Sequence, residues 1–252
     1  MDDLYFYLKQ TQWHLKLSLF WLLCEKKMNP IYKPGFVYAK GDIPVLLVAH
    51  MDTVGECPPS RIIYDTKYDA IYNPDGILGG DDRCGVYAIM KLLEKHRPHV
   101  LFTEDEEIGG NGAYKAVIGI PKPDVKYIIE IDRRGSKDCV FYECGNEDFM
   151  KYVENYGFKK NYGSFTDISI LGKTWDIAAV NLSSGYYHEH TQDEYIIFNE
   201  LLETINRVDN MLKDIEKAPK FDYKEITYGE DIKRYFLKRN YNTFNEDEGD
   251  DK

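Results

Sequence analysis

The chain has 252 residues, of which 43% are hydrophobic and 30% are charged, a composition that is ordinary for a soluble globular protein with a sizeable core. Its formal net charge of -11 disfavours nucleic acid and anionic membranes as partners, because both require a basic protein surface. The five cysteines include no CxxC pair, which argues against a disulfide framework and a cysteine zinc knuckle and favours reduced thiols in a cytoplasmic protein.

Near the N-terminus, residues 17–24 form the apolar segment LSLFWLLC. This segment is far shorter than the roughly 20 apolar residues that a membrane span needs. It also lacks a basic preceding region and a small-residue cleavage site, so it does not resemble a secretory signal. We therefore predict a buried helix here.

Four continuous apolar runs predict strands that are covered on both faces, as in a sheet between two layers of helices. These runs are residues 43–49, 99–102, 125–131 and 175–182. Between the first two runs, residues 58–78 predict a β excursion, with turns at Asn73-Pro74 and Asp75-Gly76.

Apolar residues recur at helical spacing in 83–96 and 193–217, and 230–238 are consistent with a short helix. Alternating strands and helices predict an α/β fold: a three-layer α/β/α sandwich around a mostly parallel, mixed sheet. No change of composition marks a second domain, so we predict one domain over residues 1–240. The acidic residues 241–252 are expected to be a disordered tail.

Acidic residues and histidines stand where the predicted strands end or a helix begins. They occur in HMD (50–52), DD (81–82), EDEE (104–107), EID (130–132) and HEH (188–190). Each cluster alone has an ordinary explanation, such as a helix cap, a solvated turn or a surface ion pair. In open α/β sheets, however, ligands bind outside the carboxyl ends of the strands, so these clusters are expected to converge in one crevice. Imidazoles and carboxylates together suit two zinc ions, whose charge would offset the repulsion between the carboxylates.

The ordered segments VAHMDTV, LGGDDRCG, FTEDEEIGG, EID and HEHTQDE, within about residues 43–200, resemble the co-catalytic di-zinc exopeptidase superfamily. That superfamily includes leucyl aminopeptidases, aminoacylases and peptidase T. The resemblance implies the zinc-exopeptidase (phosphorylase/hydrolase-like) fold. The intervals between the segments leave no room for the lid or dimerisation domain that many relatives insert, so a catalytic domain alone is expected.

The resemblance also implies a role for individual residues. The implied ligands of two Zn²⁺ ions, with Co²⁺ or Mn²⁺ as substitutes, are His50, Asp81, Glu107, Asp132 and His190. Asp81 would bridge the two ions, and the peptide bond from Asp81 to Asp82 would be cis. Asp52 would orient His50, and Glu106 would be the general base.

The choice between the two histidines of HEH depends on spacing. Relatives carry a histidine, three residues and then an acid, which fits His190 with Glu194 and leaves His188 as the alternative ligand. Thr191 and Glu194 also have the spacing of a capping box, which would open the helix at 193–217 and give Glu194 a structural role.

Substrate contacts are less well defined by the sequence. Residues 164–169 (SFTDIS) are similar to a substrate-side loop in relatives, and the expected contacts are Thr166, Asp167 and Tyr187. Tyr186 is a further candidate for oxyanion stabilisation.

The pair Arg133 and Arg134 could hold a substrate carboxylate, although a surface role is the favoured interpretation.

The predicted function is hydrolysis of a peptide or related amide bond, most simply as an aminopeptidase-type exopeptidase in which Glu106 activates a metal-bridging water. The substrate would be a small peptide or an N-acyl amino acid. An N-acyl amino acid deacylase, or another amidohydrolase, is the alternative. A non-catalytic binding module is a distant alternative, because it would have lost a ligand or the base and none is missing. The sequence leaves side-chain specificity and oligomeric state open.

Overall fold

A computed structural model describes residues 1–55 and 57–226 of the chain. Within these residues no helix combines the length and the apolar character needed to cross a membrane. The helix predicted at 230–238 and the tail predicted at 241–252 lie outside the described residues.

Twelve strands occur in the described part of the chain and form two sheets. They are β1 Ile31–Lys33, β2 Phe36–Ala39, β3 Ile43–His50, β4 Ile63–Asp65, β5 Ala70–Tyr72, β6 Pro98–Thr103, β7 Tyr127–Arg133, β8 Asp138–Val140, β9 Lys159–Lys160, β10 Ala179–Ser183, β11 Tyr186–Tyr187 and β12 Tyr195–Ile197.

The main sheet has eight strands in the order β1-β2-β6-β3-β7-β10-β8-β9. Its four central strands β6, β3, β7 and β10 run parallel to one another. The sheet is mixed because β2 pairs antiparallel with β6 and β8 pairs antiparallel with β10. This arrangement is the α/β architecture expected from the sequence.

Seven α-helices and one short 3-10 helix accompany the strands in the described residues. They are α1 Asp2–Leu8, α2 Gln12–Glu25, α3 Gly80–Leu92, α4 Asn111–Gly119, α5 Glu147–Glu154, α6 Asp167–Trp175, α7 Phe198–Lys213 and the 3-10 helix Ile215–Lys217.

The helices divide between the two faces of the main sheet, and the strand β3 shows why. Its residues Val45 and Leu47 belong to a core shared with α1, α2, α3, α5 and α7, whereas Leu46 and Val48 belong to a core shared with α4 and α6. Successive side chains of a strand point to opposite faces, so an unbroken apolar run fills both cores.

The four predicted strands are all present, and two of them begin later than predicted. β7 begins at Tyr127 rather than at residue 125, and β10 begins at Ala179 rather than at residue 175. The second shift arises because α6 continues through Trp175 and ends at Asp176, whose φ of 52° is left-handed.

The second sheet is antiparallel and has the order β11-β12-β5-β4. It contains the excursion predicted at 58–78 and also explains an error in the predicted helix at 193–217. Residues Tyr195–Ile197 pair with β5, so α7 begins only at Phe198. Pairing with a partner strand outweighs the helical spacing of the local sequence.

The N-terminal segment LSLFWLLC is helical, as predicted, but it is not buried on all sides. In α2 the residues Leu15, Leu19 and Leu23 are fully buried, whereas Trp13 and Trp21 are exposed. Apolar residues at a spacing of four cover one face of a helix, so α2 packs against the core along a single stripe.

The four parallel strands end at the same edge of the main sheet. β3 ends at His50, β6 ends at Thr103, and β7 ends just beyond Asp132. His50 lies opposite Thr103 in the paired register. The crevice predicted at the carboxyl ends of the strands is therefore present.

Candidate metal centre

His50 stands at the end of β3, where its side chain is 1% exposed. Its Nδ1 faces Asp52 Oδ1 at 3.2 Å, and its Nε2 faces Asp81 Oδ1 at 2.9 Å and Asp132 Oδ1 at 3.5 Å. Asp52 also accepts the backbone N–H groups of Glu106 at 3.1 Å and Glu107 at 3.0 Å. Asp52 thus connects the imidazole to the acidic loop after β6.

Asp81 lies at the irregular start of α3, and the peptide bond between Asp81 and Asp82 is cis, as predicted. Both residues have non-helical backbone angles. Asp82 is completely buried, and its Oδ1 accepts the backbone N–H of Gly85 at 2.9 Å. A Cβ at Gly85 would lie 2.2 Å from the carbonyl oxygen of Ile131, so glycine permits the close approach of α3 to β7 that brings Asp81 beside Asp132.

The loop that carries Asp81 is held by Glu194, which the sequence assigned to a capping box. Glu194 is 1% exposed. Its Oε2 accepts the N–H groups of Leu78 at 3.0 Å and Gly79 at 2.7 Å, and its Oε1 accepts the N–H of Asp81 at 3.1 Å. The capping-box prediction is wrong, because no helix begins at Thr191 and the carboxylate reaches a distant loop instead.

His190 completes the arrangement from the loop after β11. Its Nε2 lies 2.8 Å from Glu107 Oε1 and 3.2 Å from Asp81 Oδ2. His188 is exposed, and its ring contacts the edge of the Tyr195 ring at a centroid distance of 5.5 Å. Of the two histidines, only His190 is brought to the carboxylates.

Asp132 is held by residues on three sides. The Tyr186 hydroxyl lies 3.2 Å from its Oδ1, and the Thr166 hydroxyl lies 3.0 Å from its Oδ2. Its backbone N–H donates to Asn181 Oδ1 at 2.9 Å, and Asn181 Nδ2 donates to its carbonyl oxygen at 2.8 Å. The side chain of Asp132 is therefore oriented toward His50.

Three groups of side chains bring potential ligand atoms within 4.8 Å of one another. These groups are His50 with Glu106 and Glu107, His50 with Asp81 and Asp132, and Asp81 with Glu107 and His190. Asp81 belongs to the second and third groups and directs Oδ1 toward one imidazole and Oδ2 toward the other. Its position between two groups is the one that a carboxylate bridging two ions must occupy.

The donor set fits zinc, because imidazole nitrogens and carboxylate oxygens are its usual ligands together with thiolates. Within the described residues, no lysine or arginine forms an ion pair with Asp81, Glu106, Glu107 or Asp132; their only charged partners are His50 and His190. Four clustered carboxylates without lysine or arginine partners in the described chain favour divalent cations at this place.

The pKa shifts show that burial disfavours the charged form of these carboxylates. Burial raises the pKa of Glu106 to about 9 and that of Asp132 to about 7. Hydrogen bonds to Asp81 and Glu107 raise the pKa of His190 to about 10. Burial opposes the charge on Asp81, but hydrogen bonds with His190 and His50 lower its pKa. Without a metal ion, protons supply the positive charge that the cluster requires.

A cleft of about 600 Å³ opens onto these side chains, a volume that suits a small ligand. Its lining includes Asp81, Glu106, Glu107, Asp132, Arg133, Arg134, Tyr142, Tyr162, Gly163, Ser164, Phe165, Tyr186, Glu189 and His190. The cleft thus combines the candidate ligands with aromatic side chains and two arginines.

The expected substrate contacts Thr166, Asp167 and Tyr187 do not line this cleft. Thr166 and Asp167 are 1% and 0% exposed; they lie behind the carboxylates, where Asp167 accepts a short hydrogen bond from Thr103. The Tyr187 hydroxyl donates to Glu200 at 2.6 Å, which turns the ring away. These three side chains therefore lie outside the cleft. Thr166 and Asp167 are buried at the start of α6, and the Tyr187 hydroxyl points to Glu200.

Sequence reasoning missed several residues that support the site. Glu130, fully buried on β7, faces the Thr166 hydroxyl at 2.9 Å, and Asn181 on β10 binds the backbone of Asp132. Both are polar residues inside otherwise apolar strand segments, YIIEI of β7 and AVNL of β10. A buried polar residue needs a partner, so these two interruptions were the available signal.

Solved structures of several peptidases share this architecture. Aminopeptidase PepT from Bacillus cereus ATCC 10987 matches with a TM-score of 0.68 and 14% identity, over 85% of this chain and 97% of that chain. A tripeptidase from Staphylococcus aureus subsp. aureus mu50 matches with a TM-score of 0.68 and 14% identity, over 86% of this chain and 97% of that chain. This chain has the zinc-exopeptidase fold.

An aminopeptidase from the archaeon Desulfurococcus kamchatkensis has the same fold, with a TM-score of 0.63 and 14% identity over 90% of this chain and 98% of that chain. Comparison with protein-family models finds no match, and neither does comparison with curated protein sequences. The fold class predicted from the ordered motifs is confirmed by these structures, which share the zinc-exopeptidase fold at low sequence identity.

Proposed function

We propose that this protein is a metallopeptidase that hydrolyses the amide bond of a small peptide at a centre of two zinc ions. The observation that carries the proposal is the position of Asp81, whose two oxygens face the Nε2 atoms of His50 and His190. In this proposal His50 and Asp132 hold one ion, Glu107 and His190 hold the other, and Asp81 is shared.

The similar structures support an exopeptidase activity. They are an aminopeptidase, a tripeptidase and an archaeal aminopeptidase. Because the three are only 14% identical to this chain, they support the activity class and leave the substrate to be argued from the site. The five cysteines are unpaired, which supports the further proposal of a reducing, cytoplasmic location.

Two zinc ions bound here would supply Lewis acidity, which polarises a substrate carbonyl and eases the deprotonation of water. Glu106 lines the cleft and has no lysine or arginine partner within the described residues. We assign it the proton transfer: its carboxylate takes a proton from the attacking water and returns it to the leaving amine. Asp52 keeps this base in place through its bonds to the Glu106 and Glu107 backbone.

The test of the base is the variant Glu106→Gln, which preserves the size of the side chain and removes its ability to accept a proton from water. Turnover of peptides should fall by at least about a hundredfold, whereas zinc content, measured by elemental analysis, should stay near two per chain. Hydrolysis close to that of the wild type would disprove the role of Glu106.

Companion variants test the ligand assignment at the two histidines. His190→Ala should lower the zinc content, whereas His188→Ala is the matched control, because His188 is exposed and contacts Tyr195 rather than the carboxylates. A panel of dipeptides, tripeptides, aminoacyl anilides and N-acyl amino acids distinguishes a peptidase from the deacylase alternative.

A further inference from the structure

The cleft has a positively charged wall beside the candidate metal centre. Arg133 and Arg134 directly follow Asp132 and line the cleft together with the carboxylates. We infer that these two arginines bind a free carboxylate on the leaving-amine side of the substrate, so that the enzyme acts on short peptides with a free C-terminus. This inference rests on the proposed function and names its substrate class.

Arg133 is largely buried, and its charge is not satisfied by a close carboxylate in the described residues. Its side chain is 15% exposed, and Nη2 donates to the carbonyl oxygen of Tyr162 at 2.9 Å. Its Nε is buried without a hydrogen-bond partner, and the nearest paired carboxylate, Asp138, is 4.0 Å away. A buried arginine normally has a full set of acceptors. The Nε of Arg133 is out of reach of a ligand, so the donors left for one are those of the Nη atoms.

Arg134 is positioned by Glu189 but keeps most of its donors. Its Nη1 donates to Glu189 Oε1 at 2.8 Å, and its side chain is 60% exposed. A guanidinium group has five N–H donors in a planar fork that matches a carboxylate. Since Glu189 engages only one nitrogen, the rest of the fork remains accessible from the cleft.

The charge balance of the cleft supports the same ligand. Its lining in the described chain contains five carboxylates, which are Asp81, Glu106, Glu107, Asp132 and Glu189. Among the lining residues of the described chain, Arg133 and Arg134 are the only lysine or arginine side chains. A ligand carboxylate would be repelled by the five acids and attracted to these two guanidinium groups.

The position of the arginines in the chain limits the length of the substrate. Consecutive Cα atoms are about 3.8 Å apart, so the Cα of Arg134 lies within about 8 Å of that of Asp132, which is a candidate ligand. An extended peptide advances about 3.3 to 3.6 Å per residue. A carboxylate one or two residues beyond the reacting carbonyl is therefore within reach of the arginine side chains.

The experiment compares dipeptides and tripeptides with their C-terminal amides, using the zinc-loaded wild type and the variants Arg133→Met and Arg134→Met. The wild type should hydrolyse the free acids at least about tenfold more efficiently than the amides, as expected for a lost charge-assisted contact. Each variant should raise KM for the acids about tenfold or more and leave KM for the amides unchanged. Arg61→Met is the control, because Arg61 pairs with Asp75 on the exposed surface.

Binding provides a second measurement that does not depend on turnover. Equilibrium dialysis of a labelled dipeptide against the Glu106→Gln protein should show binding that weakens about tenfold when Arg134→Met is added. Binding of the matching dipeptide amide should not change. Arg134→Met serves if Arg133→Met fails to fold, since the Arg134 side chain is exposed.

Equal efficiency on acids and amides, or variants that affect both alike, would overturn the inference and leave the proposed peptidase intact. Preference for N-acyl amino acids over dipeptides would keep the carboxylate site and replace the peptidase by the deacylase. If the zinc-loaded protein hydrolyses none of the peptides, peptide amides and N-acyl amino acids, the proposed function and this inference are overturned together.

Discussion

Replacement of Glu194 tests whether the metal centre depends on a carboxylate that lies outside it. The Glu194 side chain accepts three backbone N–H groups from the loop 78–81 and is 1% exposed. In Glu194→Ala these three donors lose their acceptor in a buried environment. The loop that presents Asp81 then loses three of the hydrogen bonds that hold it at the distance observed from His50.

The magnitude follows from the number of donors. An unsatisfied buried donor costs about 1 to 3 kcal/mol. Water that enters the space left by the side chain would satisfy some of the three N–H donors. We therefore expect Glu194→Ala to reduce the free energy of unfolding by about 3 to 5 kcal/mol. Glu194→Gln keeps one acceptor oxygen for Leu78 and Gly79 but turns an N–H group toward Asp81, so it should lose about 1 to 2 kcal/mol.

The assay is urea unfolding of the metal-free protein, followed by tryptophan fluorescence. Zinc affinity is the second measurement, and it should fall about 10- to 100-fold in Glu194→Ala, as is usual when a group that orients a ligand is removed. Glu203→Gln is the control, because the exposed Glu203 side chain pairs with only Arg207 among the described residues and its loss should change stability by less than about 1 kcal/mol. A Glu194→Ala protein as stable as this control would refute the reasoning.

Two further predictions concern the pH dependence of stability and the contact between helix α2 and Glu104. Burial raises the pKa of Glu106 to about 9 and that of Asp132 to about 7, whereas both groups titrate near about 4 in the unfolded chain. The folded metal-free protein therefore binds more protons than the unfolded chain, so its stability should fall as the pH rises from about 5 to 9. Saturating zinc should remove this fall. Urea unfolding midpoints measured across this pH range test the prediction, and a midpoint that rises with pH would contradict it. Lys16→Met should lower the free energy of unfolding by about 2 to 4 kcal/mol, because Glu104 loses a partner at 2.7 Å in a site where Lys16 is 3% exposed. The double variant with Glu104→Gln should recover part of that loss in urea unfolding, and strictly additive losses would speak against the pair.

Much of the fold and the candidate ligands could be predicted because their signals are local. A strand covered on both faces is an unbroken apolar run, and its carboxyl end marks the edge where polar residues must collect. His50 and Asp132 follow such runs directly, and Glu107 lies in the acidic segment that begins just after β6. Their convergence required only the rule that parallel strands end at the same edge of a sheet.

The supporting contacts could not be predicted, because they join residues that are far apart in the chain. Glu194 binds a loop 113 to 116 positions away, and a capping-box pattern explained it equally well from the local sequence. Tyr186 and Tyr187 are adjacent, and only the strand pairing of β11 with β12 decides which ring faces Asp132. A shift of one residue in a strand exchanges the two faces, so the sequence alone could not decide between Tyr186 and Tyr187.

The acidic run 104–107 shows how one stretch of charge is divided among different partners. Glu104 accepts hydrogen bonds from Lys16 Nζ at 2.7 Å and from the Gly35 N–H at 2.7 Å. Glu104 therefore ties the N-terminal helix α2 to the end of β6, while Glu106 and Glu107 face the cleft. In the described chain Glu104 pairs with Lys16 and Asp105 lies 3.9 Å from Lys115 Nζ, so the charge of the run that has no lysine or arginine partner is confined to its last two residues. The cations that we propose are thus needed at the cleft and not along the whole segment, which places the zinc dependence of stability in the Glu106–Glu107 loop rather than in the contact with α2.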